Sequence, residues 1–431
     1  MVSLGCSKNQ VDAERLLGAL RGAGYEISPR AEDCGLVIIN TCGFIESAKQ
    51  EAIDTILEFA AKKQAGVIGG LLVTGCLSER YRDEFIAQFP EVDGVLGIGR
   101  NAEIVKAVGE VMAGRTYFAF GDKENLPLEG ARLAVGGQHS VYLKVAEGCD
   151  NRCSYCAIPD IRGRFRSRTI ENILAEAGAL VEAGAVELNL VAQDTTRYGE
   201  DIYGELALPR LLEKLCEIEG LRWIRLLYCY PERVTDRLLE VIRAQQKIVK
   251  YMDLPVQHAS GKVLCEMNRR GDAHSLKALV EAVREKIPGV SVRTTIITGF
   301  PGESEADFET LCQFVKDVRF DRLGCFAYSQ EEGTPAGERE DQLDQETKMR
   351  RAEIVMELQA AIAQEKAAAM VGREIEVLCE GYDKGKTIAR SQADAPDVDG
   401  RVLLTGREPP GRFVRVRVTG AQGYDLIAER V

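Results

Sequence analysis

The sequence predicts an α/β protein in three parts: an N-terminal doubly wound parallel sheet, a central partial barrel of six βα units, and a small C-terminal all-β barrel. Three observations predict it. Short apolar runs alternate with helical periodicity over residues 1–115, and again from residue 139. Residues 341–370 then carry one unbroken helical pattern. Beyond residue 371 the chain switches to short strands with glycine turns. Alternating strands and helices build parallel sheets, whereas evenly spaced short strands build barrels.

In the N-terminal part, Val2–Gly5 reads as a strand and Val11–Ala23 as a helix. GLVIIN (Gly35–Asn40) is a buried-type strand, followed by a helix from Glu46 to Lys62. GLLVT (Gly70–Thr74) is a third strand, with helical pattern after it. Residues 116–138, with their glycines, Pro127 and mixed charge, read as a linker.

Six strands are expected over 139–340: Val141–Ala146, Val186–Ala192, Trp223–Cys229, Tyr251–Val256, Val292–Thr298 and Arg322–Tyr328. Helical patterns such as Glu171–Ala183 and Ser275–Lys286 lie between them. Six units are too few to close an eight-stranded barrel, so the barrel is partial. A connecting helix follows over 341–370. The barrel of residues 371–431 is signalled by Glu374–Cys379, Arg401–Thr405 and Phe413–Thr419.

A chain of 431 residues buries enough core to fold without disulfides or structural metal. Its 13 cysteines therefore need another explanation. The N-terminus lacks the pattern of a signal peptide, and no apolar run reaches the ~18 residues of a membrane span. A reducing cytoplasm is the expected location, where grouped cysteines point to metal or catalysis. Net charge is −12, the wrong sign for a protein whose main partner is a nucleic-acid backbone. It suits a basic protein partner better.

The strongest local signal is Cys149-Asp-Asn-Arg-Cys153-Ser-Tyr-Cys156, just after the first strand of the six-unit part. Three closely spaced thiolates suit an iron–sulfur cluster and leave one iron of a cubane open. Structural zinc would normally take four protein ligands, and of three histidines only His139 lies nearby.

Cys6, Cys42 and Cys76 form a second set, 36 and 34 residues apart. Each follows a predicted strand, and each has a glycine beside it: Gly5, Gly43 and Gly75. Carboxyl ends of parallel strands open onto one edge, so the three could converge on a second metal site. Three separate buried cysteines are the alternative at this point. Cys34, Cys216, Cys229, Cys265, Cys312, Cys325 and Cys379 show no ligand spacing and read as small hydrophobes.

The Cys149/Cys153/Cys156 triplet on the first strand of six βα units resembles the radical S-adenosylmethionine (SAM) superfamily. The two triplets in this order are similar to the methylthiotransferase family. The motifs SLGCSKNQVDAE, NTCGFIESAKQEAID, TGCLSERY, EGCDNRCSYCAIPDIRGRFRSR, LVAQDTTRYG, LPVQHAS and TIITGFPGE carry that likeness across nearly the whole chain.

The resemblance implies a cluster domain over 1–115, a radical SAM core over 139–340 and a TRAM barrel over 371–431. It implies two 4Fe-4S clusters, one on Cys6, Cys42 and Cys76 and one on Cys149, Cys153 and Cys156, with SAM as the other cofactor. Tyr155, Gln193, Thr298 and Gly299 are the expected SAM contacts. No catalytic residue is expected beyond the cluster ligands. One SAM would methylate a sulfur held at the first cluster. A second would yield the radical that opens a C–H bond to receive that sulfur.

Within the family, Gly5-Cys6-Ser7-Lys8-Asn9-Gln10-Val11-Asp12 resembles the branch that modifies a ribosomal protein. The implied substrate is an aspartate β-carbon in small-subunit ribosomal protein S-twelve. The implied partners also include a cytoplasmic electron donor such as a flavodoxin, and a contact with ribosomal RNA. The barrel carries ten Lys/Arg and ten Asp/Glu over 372–431, a neutrality that favours a protein substrate over transfer RNA. Methylthiolation of transfer RNA is the alternative within the family. A non-catalytic electron-transfer or RNA-binding protein is the alternative outside it.

Two further motifs stay open. Gln257 and His258 end the fourth strand, where a lone histidine is as readily structural as functional. Arg162, Arg164, Arg166 and Arg168 alternate and, as a strand, would share one face.

Overall fold

A computed structural model describes residues 1–134 and 138–431. The chain divides into two compact units, one of residues 1–135, 146–168 and 329–337, the other of the remainder.

The first unit is built on a five-stranded parallel sheet: β1 (Val2–Ser3), β2 (Leu36–Thr41), β3 (Gly70–Gly75), β4 (Gly94–Leu96) and β5 (Tyr117–Ala119), in that order across the sheet. Helices α1 (Ser7–Gly22), α2 (Glu46–Gln64), α3 (Cys76–Gln88) and α4 (Ile104–Met112) connect them. Period-two side chains send Val37 and Ile39 to one face, with Leu71 and Val73, where α2 and α3 bury Ile56, Phe59 and Phe85. Ile38 and Leu72 face the other way, against Leu16 and Leu20 of α1 and Ile104 and Val108 of α4. Helices therefore cover both faces, which is why β2 and β3 read as continuous apolar runs. Each such fully buried aliphatic side chain contributes about 1.5–3 kcal/mol.

β5 falls inside the stretch read as a linker. Three residues are too few to show a period, so this strand was not legible. Residues 135–137 of that stretch lie outside the described residues.

In the second unit, the six expected strands form at Ser140–Lys144, Glu187–Val191, Trp223–Leu226, Tyr251–Asp253, Ser291–Thr298 and Arg322–Ala327. All paired neighbours are parallel, and a parallel bridge from Ile224 reaches Ile248, just before the fourth. The long helix spans Gln345–Ala368, capped by the Asp344 side chain accepting from Thr347 N–H. Five strands close the C-terminal barrel: Glu374–Asp383, Lys386–Ser391, Val402–Thr405, Phe413–Gln422 and Asp425–Arg430. Its core holds Val377, Cys379, Val414, Val416 and Val418.

One buried charge cluster joins the barrel to the partial barrel within this unit. Glu187, on the second strand, accepts from Arg225 Nε at 3.0 Å and from Arg390 Nη1 at 3.1 Å. Its second oxygen accepts from Ser140 Oγ at 2.8 Å and from Arg390 Nη2. All three charged side chains are buried. Among the described residues, no helix is long and apolar enough to cross a membrane.

Candidate iron–sulfur and SAM site

Both cysteine triplets belong to the first unit. Cys6 immediately precedes α1, Cys42 follows β2, and Cys76 opens α3. They stand at the carboxyl ends of three adjacent parallel strands, as the spacing implied. The glycines bring them close. Gly5 has φ +86° and leaves no room for a side chain, since a Cβ there would lie 2.8 Å from Cys42 Sγ. Gly75, at φ +104°, would set a Cβ 2.4 Å from the Thr41 carbonyl oxygen.

The electrostatics show that the three thiols sense one another. Burial pushes Cys42 up to about 12, and the neighbouring Cys76 and Cys6 add to it. Burial also pushes Cys76 up, opposed by the charge of Arg162. Cys6 is exposed at the rim of this edge. Desolvation on its inward side would raise it. The charges of Lys8 and Arg162 and the N–H groups of Asn9 and Lys8 outweigh that, so Cys6 lies below its ordinary value. Its position at a helix N-terminus acts in the same direction.

The second triplet occupies the loop after Ala146–Glu147, and α5 (Ile158–Arg162) follows it. Cys156 N–H donates to the Cys153 carbonyl at 3.0 Å, and Asn151 N–H reaches Cys149 Sγ at 3.5 Å. Arg152 adopts φ +51°, a strained conformation for a side-chain-bearing residue that turns the loop between two cysteines. The thiol of Cys156 lies above its ordinary value through burial and the proximity of Cys153 and Cys149. Ala336 N–H donates to the Ser154 carbonyl at 2.9 Å and ties the loop to the segment 329–337.

The two triplets meet through Ala157, the residue after Cys156. Ala157 and Ile161 pack against Cys76 in one small apolar cluster. Arg162 ends α5 beside them, its guanidinium buried. Nη1 donates to Asp12 at 2.6 Å and to Glu147 at 3.2 Å. Nη2 donates to Asn9 Oδ1 at 3.0 Å and to Cys76 Sγ at 3.3 Å.

The other alternating arginines do not share a strand face. Only Arg166–Ser167 is extended in pairing. Arg164 is exposed near Asp150, Arg166 donates to the Glu124 and Lys123 carbonyls, and Arg168 pairs with Glu129 at 2.5 Å. The strand reading fails because Ile158–Arg162 is helical and Gly163 turns the chain at φ +77°.

Among the described residues, no group of three or more His, Cys, Asp or Glu side chains is already drawn into metal-holding geometry. The donor chemistry still fits two iron–sulfur clusters. Three thiols converge at one sheet edge, three more share one loop, and soft sulfur donors select such clusters.

Of the expected SAM contacts, Tyr155 lies in the triplet loop, half-buried. The other three lie in the second unit. Gln193 follows the second strand of the partial barrel. Thr298 ends the fifth, buried, with its hydroxyl donating to the Lys348 carbonyl at 3.3 Å. Gly299, at φ +71°, donates its N–H to Glu303 Oε2 at 2.8 Å, and a Cβ there would strike Lys348. Thr298 and Gly299 are thus engaged with Lys348 and Glu303.

His258 is buried beside Glu303, its Nε2 3.4 Å from that carboxylate, while Nδ1 accepts from Ser260 N–H at 3.0 Å. Glu303 also accepts from Arg351 at 2.7 Å. These contacts give His258 a structural role behind the Gly299 turn. Cys34 donates to the Arg30 carbonyl at 3.2 Å, and Cys265 is exposed rather than a core residue.

Three family models match the chain. They are "Uncharacterized protein family UPF0004" over residues 1–97, "Radical SAM superfamily" over 143–315 and "TRAM domain" over 371–431. Among curated proteins, "Ribosomal protein uS12 methylthiotransferase RimO" of Desulfitobacterium hafniense (strain Y51) is 47% identical, covering 100% of this chain and 98% of the relative. The protein of the same name from Geobacter sulfurreducens is 45% identical, covering 100% and 97%. That of Lachnoclostridium phytofermentans is 44% identical, covering 99% and 98%. Among solved structures, the radical S-adenosylmethionine methyltransferase TsrM from Kitasatospora setae, with cobalamin and a 4Fe-4S cluster bound, superposes with a TM-score of 0.53. It is 15% identical over 77% of this chain and 74% of that one, a likeness of fold alone.

Proposed function

Since the chain belongs to the family of ribosomal protein uS12 methylthiotransferases named RimO, we propose that it inserts a methylthio group at the β-carbon of an aspartate in that ribosomal protein. The observation that carries the proposal is the pair of cysteine triplets meeting at Cys76 and Ala157 in one unit. A reaction that joins a sulfur to a carbon radical needs the sulfur source and the radical source close together.

We assign Cys149, Cys153 and Cys156 to the SAM-cleaving cluster, and Cys6, Cys42 and Cys76 to the cluster that presents the sulfur. When bound, these clusters and SAM supply the one-electron chemistry that opens an unactivated C–H bond, which no acid–base pair of the chain can do. The chain's own residues bind and orient. The Cys149–Cys156 loop is held by its tie to Ala336, and the glycines beside Cys6 and Cys76 allow the close approach. Tyr155, Thr298 and Gly299 are assigned to SAM by family resemblance, and Gln193 by its place beyond the carboxyl end of a barrel strand.

The net charge of −12 supports a basic protein partner, and the barrel supports the same choice. Arg417, on the strand Phe413–Gln422, is paired with Glu374 at 2.8 Å. A flavodoxin-like electron donor, contact with ribosomal RNA and a cytoplasmic location complete the reading.

Replacing Cys76 by Ala separates the two clusters experimentally. The variant is expected to keep roughly half of the wild-type iron. It should still cleave SAM on reduction but form no methylthio product. Full iron content would remove Cys76 from the ligand set.

A further inference from the structure

Arg162 lies in one of the motifs that carry the family likeness but is not among the ligands or SAM contacts assigned above, and its buried guanidinium touches one of the proposed ligands. We propose that Arg162 is a positioning residue for the cluster on Cys6, Cys42 and Cys76. Its Nη2 donates to Cys76 Sγ, and its charge offsets the cluster's thiolates, so that the cluster is easier to reduce than it would otherwise be. The proposal rests on the assignment of that triplet as cluster ligands.

The geometry is that of a fork with two ends. One end, Nη1, is held by two carboxylates, Asp12 at 2.6 Å and Glu147 at 3.2 Å. The other end, Nη2, is held by Asn9 and directed at Cys76 sulfur at 3.3 Å. The side chain is 2% exposed, so water does not screen it. A planar guanidinium fixed at one end presents the other in a set direction, which a lysine ammonium cannot reproduce. Hydrogen bonds to ligand sulfur and the net charge around a cluster are two of the quantities that set its potential. Charged groups facing Arg162 are Asp12 from α1 and Glu147 from the segment before the second triplet. Lys8, also on α1, acts on Cys6 alongside it.

Arg162 also lies six residues after Cys156, on the helix whose Ile161 packs against Cys76. The same short segment that carries one triplet therefore reaches into the other.

The test uses the full-length chain with Cys149, Cys153 and Cys156 all replaced by Ala, so that any remaining iron belongs to the first triplet. After anaerobic reconstitution, iron is counted and the cluster is titrated electrochemically by its reduced-state paramagnetic signal. In that background Arg162→Gln is expected to shift the oxidised-to-reduced ratio at fixed potential by tenfold or more toward oxidised. For a one-electron couple that is a fall of about 59 mV or more.

Arg162→Lys, which keeps the charge but not the fork, should fall between it and the parent. Asp12→Asn, a change of nearly equal shape, should shift the ratio in the opposite direction by removing a negative charge. If Arg162→Gln does not accumulate as folded protein, Arg162→Lys decides the question. Unchanged potentials with iron retained would overturn the role of Arg162. Absence of iron in the parent itself would instead overturn the triplet assignment beneath it.

Discussion

Replacing Cys153 by Ala is expected to reduce SAM cleavage to the background of the reductant alone, with the fold intact. The side chain sits in the middle of a three-cysteine loop and is half-buried. Its removal creates no large cavity, so the protein should remain soluble and cooperative in unfolding. Two thiolates cannot hold a cubane with one open iron. The loss should exceed the roughly 10–100-fold that removal of an outer-shell partner costs at a metal site. Formation of 5′-deoxyadenosine under dithionite, measured by chromatography, reads the result. Cleavage persisting in Cys153→Ala at the wild-type rate would end the assignment of this triplet.

The second large effect concerns stability. Glu187→Gln removes the one negative charge that Arg225 and Arg390 share in the interior. Arg390 keeps a second carboxylate, Glu380 at 2.7 Å, but Arg225 loses its carboxylate partner, and an uncompensated buried charge of this kind typically costs about 3–5 kcal/mol. Urea unfolding should show the lowered midpoint, and hydrogen exchange should rise first in Lys386–Ser391, the barrel strand that carries Arg390.

The same carboxylate carries a pH signature. Burial would raise its pKa, but Arg390 and Arg225 outweigh burial and hold it at about 2. An unfolded glutamate titrates near ~4.3. A depressed folded value means that the stabilisation is complete above ~4.3 and is lost as pH falls toward 2. The acid limb of the unfolding curve should therefore be shallower in Glu187→Gln. An unchanged acid limb and midpoint would show that the cluster contributes nothing net.

Much of this molecule is legible in sequence because its signals are periodic or closely spaced. GLVIIN and GLLVT are apolar on both faces because helices cover both faces of their sheet. Cys149, Cys153 and Cys156 sit within one loop, so spacing alone brings them together. Cys6, Cys42 and Cys76 converge because each ends a strand of one parallel sheet. The strand order across the sheet follows the sequence from β1 to β5, so neighbours in sequence are neighbours in space.

What escaped was set by distant partners. Arg162 read as one of four alternating arginines that, as a strand, would share one face. The five-residue helix IPDIR is too short for a helical period, and Asp12, which holds the arginine, is 150 residues away. Nothing local in ELNLV marks Glu187 as the centre of a buried charge cluster, because Arg390 comes from a barrel 203 residues on. The tie of the triplet loop to Ala336 is likewise invisible in a local window. The strand Tyr117–Ala119 was too short to distinguish from the glycine-rich stretch around it.

The most direct test of the central claim compares substrates. Anaerobically reconstituted enzyme is given SAM, a reductant and sulfide, together with either a peptide of the ribosomal protein loop or unmodified transfer RNA. Products are weighed by mass spectrometry. A methylthio mass gain on the peptide aspartate, with none on the RNA, is the predicted result. A gain on transfer RNA alone would keep the cluster chemistry but contradict the ribosomal assignment. SAM consumed with no gain on either substrate would contradict methylthio transfer itself.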